Sequence, residues 1–373
     1  MADDYMTLQL LAVGLAQIQL GQQEGAWRLP DVPAGLPKAW TAGMRRLAWR
    51  LLEQRQHRLP SHQDVFRWCH LPLGEWPLDL LVAEGDEDLL LIEGGQLSAF
   101  ADQSASLILS KDPEAELVEN CCFELLLATA DRNATTEEEA QRNYVHLRSY
   151  FIEHTVVADT AMTELLRLYR AKDPQGRPWV KELFLRAYRF QPGGGTVLLN
   201  VCSDCRNLLA EGDSLCGTAG CTGKRVQDTW EALEGVYVQH RATRRFFHDP
   251  GLAELRIINQ LRAELGDRLH PWWGMDAVDA AVDFTGSGEM GRGEWWAADV
   301  KDHASGALLG KNFRWDPRAT AKRRFLVLPA HRFGQHRYVD DLVSEMEGRV
   351  AGVEVVSEAA FVGQVLARFR GCR

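Results

Sequence analysis

The stretch that decides the fold of the C-terminal half is Pro271–His303, PWWGMDAVDAAVDFTGSGEMGRGEWWAADVKDH. It reads as two short apolar strands joined by a glycine-rich hairpin, and each strand delivers a carboxylate. Asp283 lies in the first, in VDF, and Asp299 with Lys301 in the second, in ADVKD. Side chains alternate faces along a strand, so residues two apart project together. Asp-Val-Lys therefore sets a carboxylate and an amine on one face, with Val300 on the other. A second carboxylate on the partner strand makes an acidic pocket with a cation beside it. Such a pocket suits a divalent metal that activates water against a phosphodiester.

Working outward, the segment HDPGLAELRIINQLRAELG predicts a helix opened by Pro250 in its first turn. Leu252, Leu255, Ile258, Leu261 and Leu265 form its apolar stripe, and Glu254 sits near its start, where the helix dipole favours a carboxylate. Downstream, FLVLPA predicts a buried strand. HRYVDDLVSEMEGR predicts an amphipathic helix with Tyr338, Leu342 and Met346 four apart, and a last strand and helix follow. These elements predict a compact three-layer α/β core. Arg314, Arg318, Lys322, Arg323 and Arg324 would form a phosphate-binding wall if they project beside the acidic pocket; a solvated basic loop is the plain alternative. The same choice holds for Arg241, Arg244, Arg245, Phe246 and Phe247 upstream. Asp276, Asp279, Asp302 and His303 surround the motif, and Asp279, which shares a face with Asp283, reads as a supporting residue.

Before this half lies VCSDCRNLLAEGDSLCGTAGCTGK, with Cys202-x2-Cys205 and Cys216-x4-Cys221. Two close thiol pairs are the pattern of a four-thiolate structural zinc site, here a small ribbon. Gly217, Gly220 and Gly223 permit the tight path around the second pair. Four thiolates leave no open position for water, which argues against a catalytic zinc.

The N-terminal half predicts an α-rich interaction or support region. Leu8, Leu11, Leu15 and Ile18 recur at helical spacing, as do Met44, Leu47 and Leu51, and a Pro-rich linker separates the two runs. Ser61 is positioned as an N-cap. The segment 78–108 reads as a hairpin around the acidic turn Gly85–Asp88 or as a helix end and a strand, with the turn itself solvated. Helices resume from Glu114, and Asp228–Tyr237 reads as a further helix. The expected blocks are 1–195 helical, 196–227 zinc ribbon and 228–373 nuclease-like.

The chain has 373 residues, 46% hydrophobic and 25% charged, with a formal net charge of -10. A global excess of acid argues against a nucleic-acid partner, but the charge is uneven. Lys224–Arg373 holds 22 Lys/Arg against 21 Asp/Glu, so the acidity lies in the other part. The N-terminus carries acidic residues where a signal peptide is basic, and no stretch is apolar enough to span a bilayer, so the cytoplasm is expected. No Walker A motif is present, and any ATP-driven step would belong to a partner.

The combination of Asp283, Asp299-Val300-Lys301 and a preceding helix with Glu254 resembles the PD-(D/E)xK, restriction-endonuclease-like superfamily. That resemblance implies a mixed central sheet flanked by helices and two acids, Asp283 and Asp299, binding Mg²⁺. It also implies that Lys301 positions the attacking water and that Glu254 completes the site. The proline that often precedes the first acid is absent. With the four-cysteine segment before it, this half further resembles restriction-endonuclease-related proteins that accompany bacterial PIWI-RE proteins and a helicase in anti-phage or anti-plasmid systems. DNA as substrate, and PIWI-type and helicase partners, are what that resemblance implies. A catalytically silent DNA-binding subunit and a zinc-ribbon adaptor are the competing readings.

Overall fold

The computed structural model describes residues 4–21, 36–56, 59–109, 113–209, 216, 218–240, 243–348 and 350–371. Its contacts divide the chain into two compact units that are not contiguous in sequence. The first comprises Met1–Pro113, His303–Phe313 and Gly334–Arg349; the second comprises Glu114–Asp302, Arg314–Phe333 and Val350–Arg373. This division cuts across the consecutive blocks expected from sequence. No helix among the described residues is long and apolar enough to cross a membrane.

The first unit is helical. Helices α1 (Tyr5–Gly21), α2 (Lys38–Glu53), α3 (His62–Trp68) and α4 (Ala99–Leu109) surround a core of Leu8, Leu11, Leu15, Trp40, Leu47, Leu51, Phe66 and Phe100. The predicted stripes on the first two helices are the buried ones, with Ile18 and Met44 half-buried at their edges. Glycine permits the α1–α2 crossing: a Cβ at Gly14 would lie 2.5 Å from Trp40 Cβ. Ser61 caps α3 in a capping box, its Oγ accepting from Asp64 N–H while the Asp64 carboxylate accepts from Ser61 N–H. The hairpin of the 78–108 region falls at β1 (Ile92–Glu93) and β2 (Gln96–Leu97).

The acidic turn at Gly85–Asp88 is not wholly solvated, because Asp86 is buried. Its carboxylate accepts from Tyr5 Oη–H and, at 2.5 Å, from Ser305 Oγ–H. Burial pushes its pKa up to about 6 against these donors. A raised folded-state pKa means the folded state holds the proton more tightly, so stability is lost as pH rises through 6. Asp86→Asn should therefore gain on wild type between pH 4.5 and 7.5, by on the order of 2 kcal/mol. Thermal melts across that range test this, and a pH-independent difference in stability would refute it.

The second unit holds the motif. Helices α5 (Pro113–Arg132), α6 (Glu137–Glu153), α7 (Ala161–Leu168) and α8 (Trp179–Ala187) lead into a three-stranded antiparallel sheet. Its strands are β3 (Val156–Ala158), β4 (Tyr188–Pro192) and β7 (Gly235–Gln239), while β5 (Gly195–Cys202) and β6 (Arg225–Ala232) pair as a separate hairpin. Asp228–Tyr237 is thus strand, not the helix expected. Glu231, Ala232 and Leu233 favour helix locally, but Val226, Thr229, Trp230 and the Val236–Val238 run fit cross-strand pairing, which wins.

Helix α9 (Asp249–Leu265) then precedes a five-stranded mixed sheet in the order β12-β11-β10-β9-β8, formed by β8 (Leu269–Pro271), β9 (Ala280–Asp283), β10 (Trp295–Val300), β11 (Arg323–Leu328) and β12 (Val353–Ser357). β10, β11 and β12 run parallel, and β9 is antiparallel to β8 and β10. One face, with Ala280, Val282, Trp296, Ala298, Val300, Phe325 and Val327, shares a core with α6, α9 and α10 (Glu358–Arg370). The other face carries a small cluster of Val278, Ala281, Trp295, Ala297 and Ala319.

Candidate active site

Register decides which carboxylates meet. In the β9–β10 pair, Trp295 lies opposite Asp283 and Ala298 opposite Ala280. One step further, Asp279 N–H donates to Ala298 O at 3.0 Å, and the Asp279 carboxylate accepts from Val300 N–H at 2.6 Å. Asp279 is therefore the acid beside Asp299. Asp283 is four residues further along the strand, roughly 13 Å away at a strand's rise per residue.

Asp283 is also fully engaged elsewhere. Its Oδ1 accepts from the backbone N–H groups of Thr285 (3.0 Å) and Gly286 (2.8 Å) and from the Thr285 hydroxyl (2.9 Å); its Oδ2 accepts from Gly288 N–H at 2.8 Å. Burial would raise its pKa, but these donors hold it below the ordinary range. This is a carboxylate that shapes the turn, with Gly286 and Gly288 in the left-handed region that the tight path requires. The expectation that Asp283 pairs with Asp299 is corrected accordingly, and Asp279, expected only to support it, takes that place. Period 2 puts both on the same face and cannot choose between them.

Lys301 follows β10, its N–H bonded to Val327 O at 3.0 Å and its Nζ contacting Asp299 Oδ1. Burial opposes the lysine's charge, but Asp299, Asp279 and Glu254 outweigh it and keep the ammonium protonated. The Lys301 side chain is 42% exposed and that of Asp299 15%, whereas Asp279 and Glu254 are 5% and 3% exposed as residues. The pocket thus opens to solvent at the DxK and is closed behind it. Asp279 has its pKa raised well above the carboxylate range, first by burial and then by the negative charge of Glu254, with Lys301 opposing.

Glu254 on α9 is brought to the cluster, but its carboxylate is already gripped. Arg148 of α6 donates to both oxygens, Nη2 to Oε1 at 3.1 Å and to Oε2 at 2.9 Å, and Trp272 Nε1–H donates to Oε2 at 2.5 Å. Arg148 also meets Asp276 Oδ2 at 3.1 Å and Tyr144 Oη at 3.3 Å. Nothing in the sequence around the motif signals Arg148, more than a hundred residues upstream. Asp302 accepts from His331 (3.1 Å) and Arg332 (2.7 Å). His303 Nδ1 lies 3.0 Å from Ser305 O, within the first unit.

The expected basic wall is largely engaged within the chain. Arg318 pairs with Asp316 at 2.7 Å, Arg323 pairs with Glu354 at 2.6 Å and stacks over Trp296, and Arg324 lies over Trp315. In the upstream segment, Arg244 faces Asp249 at 3.7 Å and Phe247 is buried. Arg241 lies outside the described residues, and so do the side chains of Arg245 and Phe246.

The four cysteines do converge. Cys202, Cys205, Cys216 and Cys221 hold their sulfurs within 4.8 Å of one another, with Cys202–Cys221 at 3.5 Å and Cys205–Cys216 at 3.3 Å. A tetrahedron with zinc–sulfur bonds of about 2.3 Å has edges of about 3.8 Å, so this cluster could hold a metal ion such as zinc. Arg206 and Gly220 adopt positive φ at the two turns, and a Cβ at Gly223 would lie 2.3 Å from Cys202 Sγ. Gly217 lies outside the described residues. The cluster is anchored by Asn207 and Thr218, which donate to Asp249 Oδ1 at 3.0 and 3.2 Å, and Gly220 packs on the His331 ring. Among the described residues the carboxylates of Glu254, Asp279 and Asp299 are not gathered as tightly as these thiols.

Comparison with known families agrees with a restriction-endonuclease-like domain: residues 251–373 match the family described as REase associating with pPIWI_RE. Residues 7–158 match a second family, pPIWI_RE three-gene island domain Y. The two matches tie this chain to the pPIWI_RE defence system. No curated protein and no solved structure matches it significantly. Arg148 lies in the domain Y segment and Glu254 in the endonuclease segment, so the site draws on both.

Proposed function

We propose that the chain is a Mg²⁺-dependent deoxyribonuclease of the PD-(D/E)xK type. It would work in the cytoplasm within a bacterial anti-phage or anti-plasmid complex that includes a PIWI-type protein and a helicase. The observation that carries this is the juxtaposition of Asp279 and Asp299 across β9 and β10, with the Lys301 ammonium on Asp299. Asp279 and Asp299 are the carboxylates that would hold the ion. An ion held there would supply polarisation of the phosphate and a lowered pKa for water. Lys301, on the open side of the pocket, orients that water and neutralises charge growing on the phosphate oxygens. Glu254, held by Arg148 and Trp272, sets the negative potential behind Asp279. The four cysteines take a structural zinc, forming a ribbon that braces the start of α9 through Asp249.

The test is cleavage of single- and double-stranded DNA by the whole chain, with Mg²⁺ or EDTA, with and without partner proteins. Mg²⁺-dependent cleavage that disappears in Lys301→Ala and Asp299→Ala supports the reading; equal cleavage by wild type and both variants refutes it. DNA binding without cleavage under every condition would instead identify a catalytically silent subunit.

A further inference from the structure

We propose that Arg148 and Gln141, both on α6, are positioning residues of the nuclease site, clamping the loop Trp272–Asp276 and the Glu254 carboxylate in working geometry. This inference rests on the nuclease reading above and adds residues that lie outside the catalytic motif and outside the endonuclease-family segment.

The loop is the most strained piece of backbone near the site. Trp272, Gly274, Met275 and Asp276 have φ of 43°, 65°, 52° and 81°, so three non-glycine residues occupy the left-handed region. Each such residue costs free energy, and the conformation persists only where its surroundings impose it. Most of the surroundings that do so lie on α6; Arg318 adds one bond, its Nη1 donating to Gly274 O at 3.2 Å. Gln141 Nε2 donates to Pro271 O at 3.1 Å and to Trp272 O at 2.8 Å, and its Oε1 accepts from Met275 N–H at 3.0 Å. About two turns onward, Arg148 joins Asp276 at 3.1 Å to both oxygens of Glu254. The loop leads directly into Asp279: Trp272 N–H donates to Asp279 O at 2.8 Å. A shift of the loop therefore moves the acid that faces Asp299.

Charge gives the same answer. Asp279 has three further acids near it, Glu254, Asp276 and Asp299, with Lys301 opposing their charge, and Glu254 and Asp279 are buried. Arg148, buried and held charged by Glu254 and Asp276 despite its desolvation, supplies the second cation. A guanidinium can hold two carboxylates in fixed directions through its fork of donors, which an ammonium cannot. Asp276 keeps Oδ1 without a hydrogen-bond partner among the described residues, so Arg148 is what fixes this carboxylate. None of these α6 groups needs to touch the reacting phosphate. Their contribution is to set where Asp279 and Glu254 stand.

The test compares wild type with Arg148→Met, Arg148→Lys and Gln141→Leu in the full chain, by amide hydrogen exchange and by DNA cleavage kinetics. In Arg148→Met, amides of residues 273–278 should exchange at least about tenfold faster, while those of 280–282 inside β9 keep their protection. Its kcat should fall about a hundredfold with KM for DNA changed less than about threefold, because a small displacement of a positioned group costs rate rather than substrate binding. Arg148→Lys should recover part of kcat, and Gln141→Leu should loosen the loop with a smaller loss. Should Arg148→Met fail to fold, Gln141→Leu and Asp276→Asn probe the same loop without emptying a buried cation site. A folded Arg148→Met with wild-type kcat, or with protection lost evenly across β9 and β10, would overturn the clamp. A wild type that does not cleave DNA defeats the nuclease reading alone, and the exchange pattern at 273–278 still judges the clamp.

Discussion

Asp279→Ala is expected to lower Mg²⁺-dependent DNA cleavage by about a thousandfold, whereas Asp283→Ala leaves kcat within about an order of magnitude of wild type. The first substitution removes one of two carboxylates that face each other across β9 and β10, so the proposed Mg²⁺ would lose a ligand and the site several kcal/mol of charge stabilisation. It also frees Val300 N–H, which Asp279 accepts. The second substitution removes a turn cap. Asp283 satisfies the N–H groups of Thr285, Gly286 and Gly288, and losing them should destabilise the hairpin by about 1–3 kcal/mol. Asp283 is held below the usual carboxylate range, so its contribution is present above pH 4 and lost as pH falls through the folded-state value. Asp283→Ala should accordingly be less stable than wild type at pH 7, with the difference shrinking in acid. Single-turnover cleavage and urea melts on the two variants separate these outcomes. Loss of cleavage in Asp283→Ala with retention in Asp279→Ala would return the metal site to the other end of the strand.

Removing the proposed zinc from the cysteine cluster is expected to have the largest structural effect. The β5–β6 hairpin is exposed along much of its length, with Leu198 and Val226 at its surface, so it has little core of its own. A structural zinc contributes free energy of about 10–16 kcal/mol in isolated modules, and that energy goes into folding. Wild type should carry about one zinc per chain, and Cys202→Ser should carry close to none. Hydrogen-exchange protection across β5 and β6 should then collapse. The loss should spread to the first turn of α9, because Asn207 and Thr218 hold Asp249 there. Elemental analysis joined to exchange measurements reads both effects. A zinc-free wild type, or a Cys202→Ser variant with unchanged protection, would remove the metal from the account.

Several parts of this molecule were legible without coordinates. In the α9 stripe Leu255, Ile258, Leu261 and Leu265 are buried as their spacing predicts, Leu252 is half-buried, and Pro250 stands in the first turn. The four cysteines converge as their spacing requires. Lys301 reaches Asp299 because residues two apart share a face. Where the structure differs from these expectations, long-range partners are the common cause. Asp228–Tyr237 carries helix-favouring residues, and what makes it strand is its partners, β5 for one half and β3 and β4 for the other. Asp86 looked like part of a solvated acidic turn, and it is buried through groups as far away as Ser305. The sequence leaves a phosphate wall and a solvated loop equally open for the arginines of 314–324, and in the fold Glu354 and nearby aromatic rings engage two of them.

Pro271–His303 shows most clearly where local pattern stops specifying structure. The sequence of Pro271–His303 determined that two strands form, that acids lie on one face, and that Lys301 neighbours Asp299, because those follow from alternation along a single chain. Which acid faces Asp299 was decided only by the register of β9 against β10, and register depends on how many residues the hairpin closes and which donors its turn satisfies. Asp283 serves that turn, so Asp279 is left for the pocket. That Glu254 is met by an arginine from α6 was likewise decided by tertiary packing, since the two residues share no local pattern and are joined only by burial of their charges in the same place.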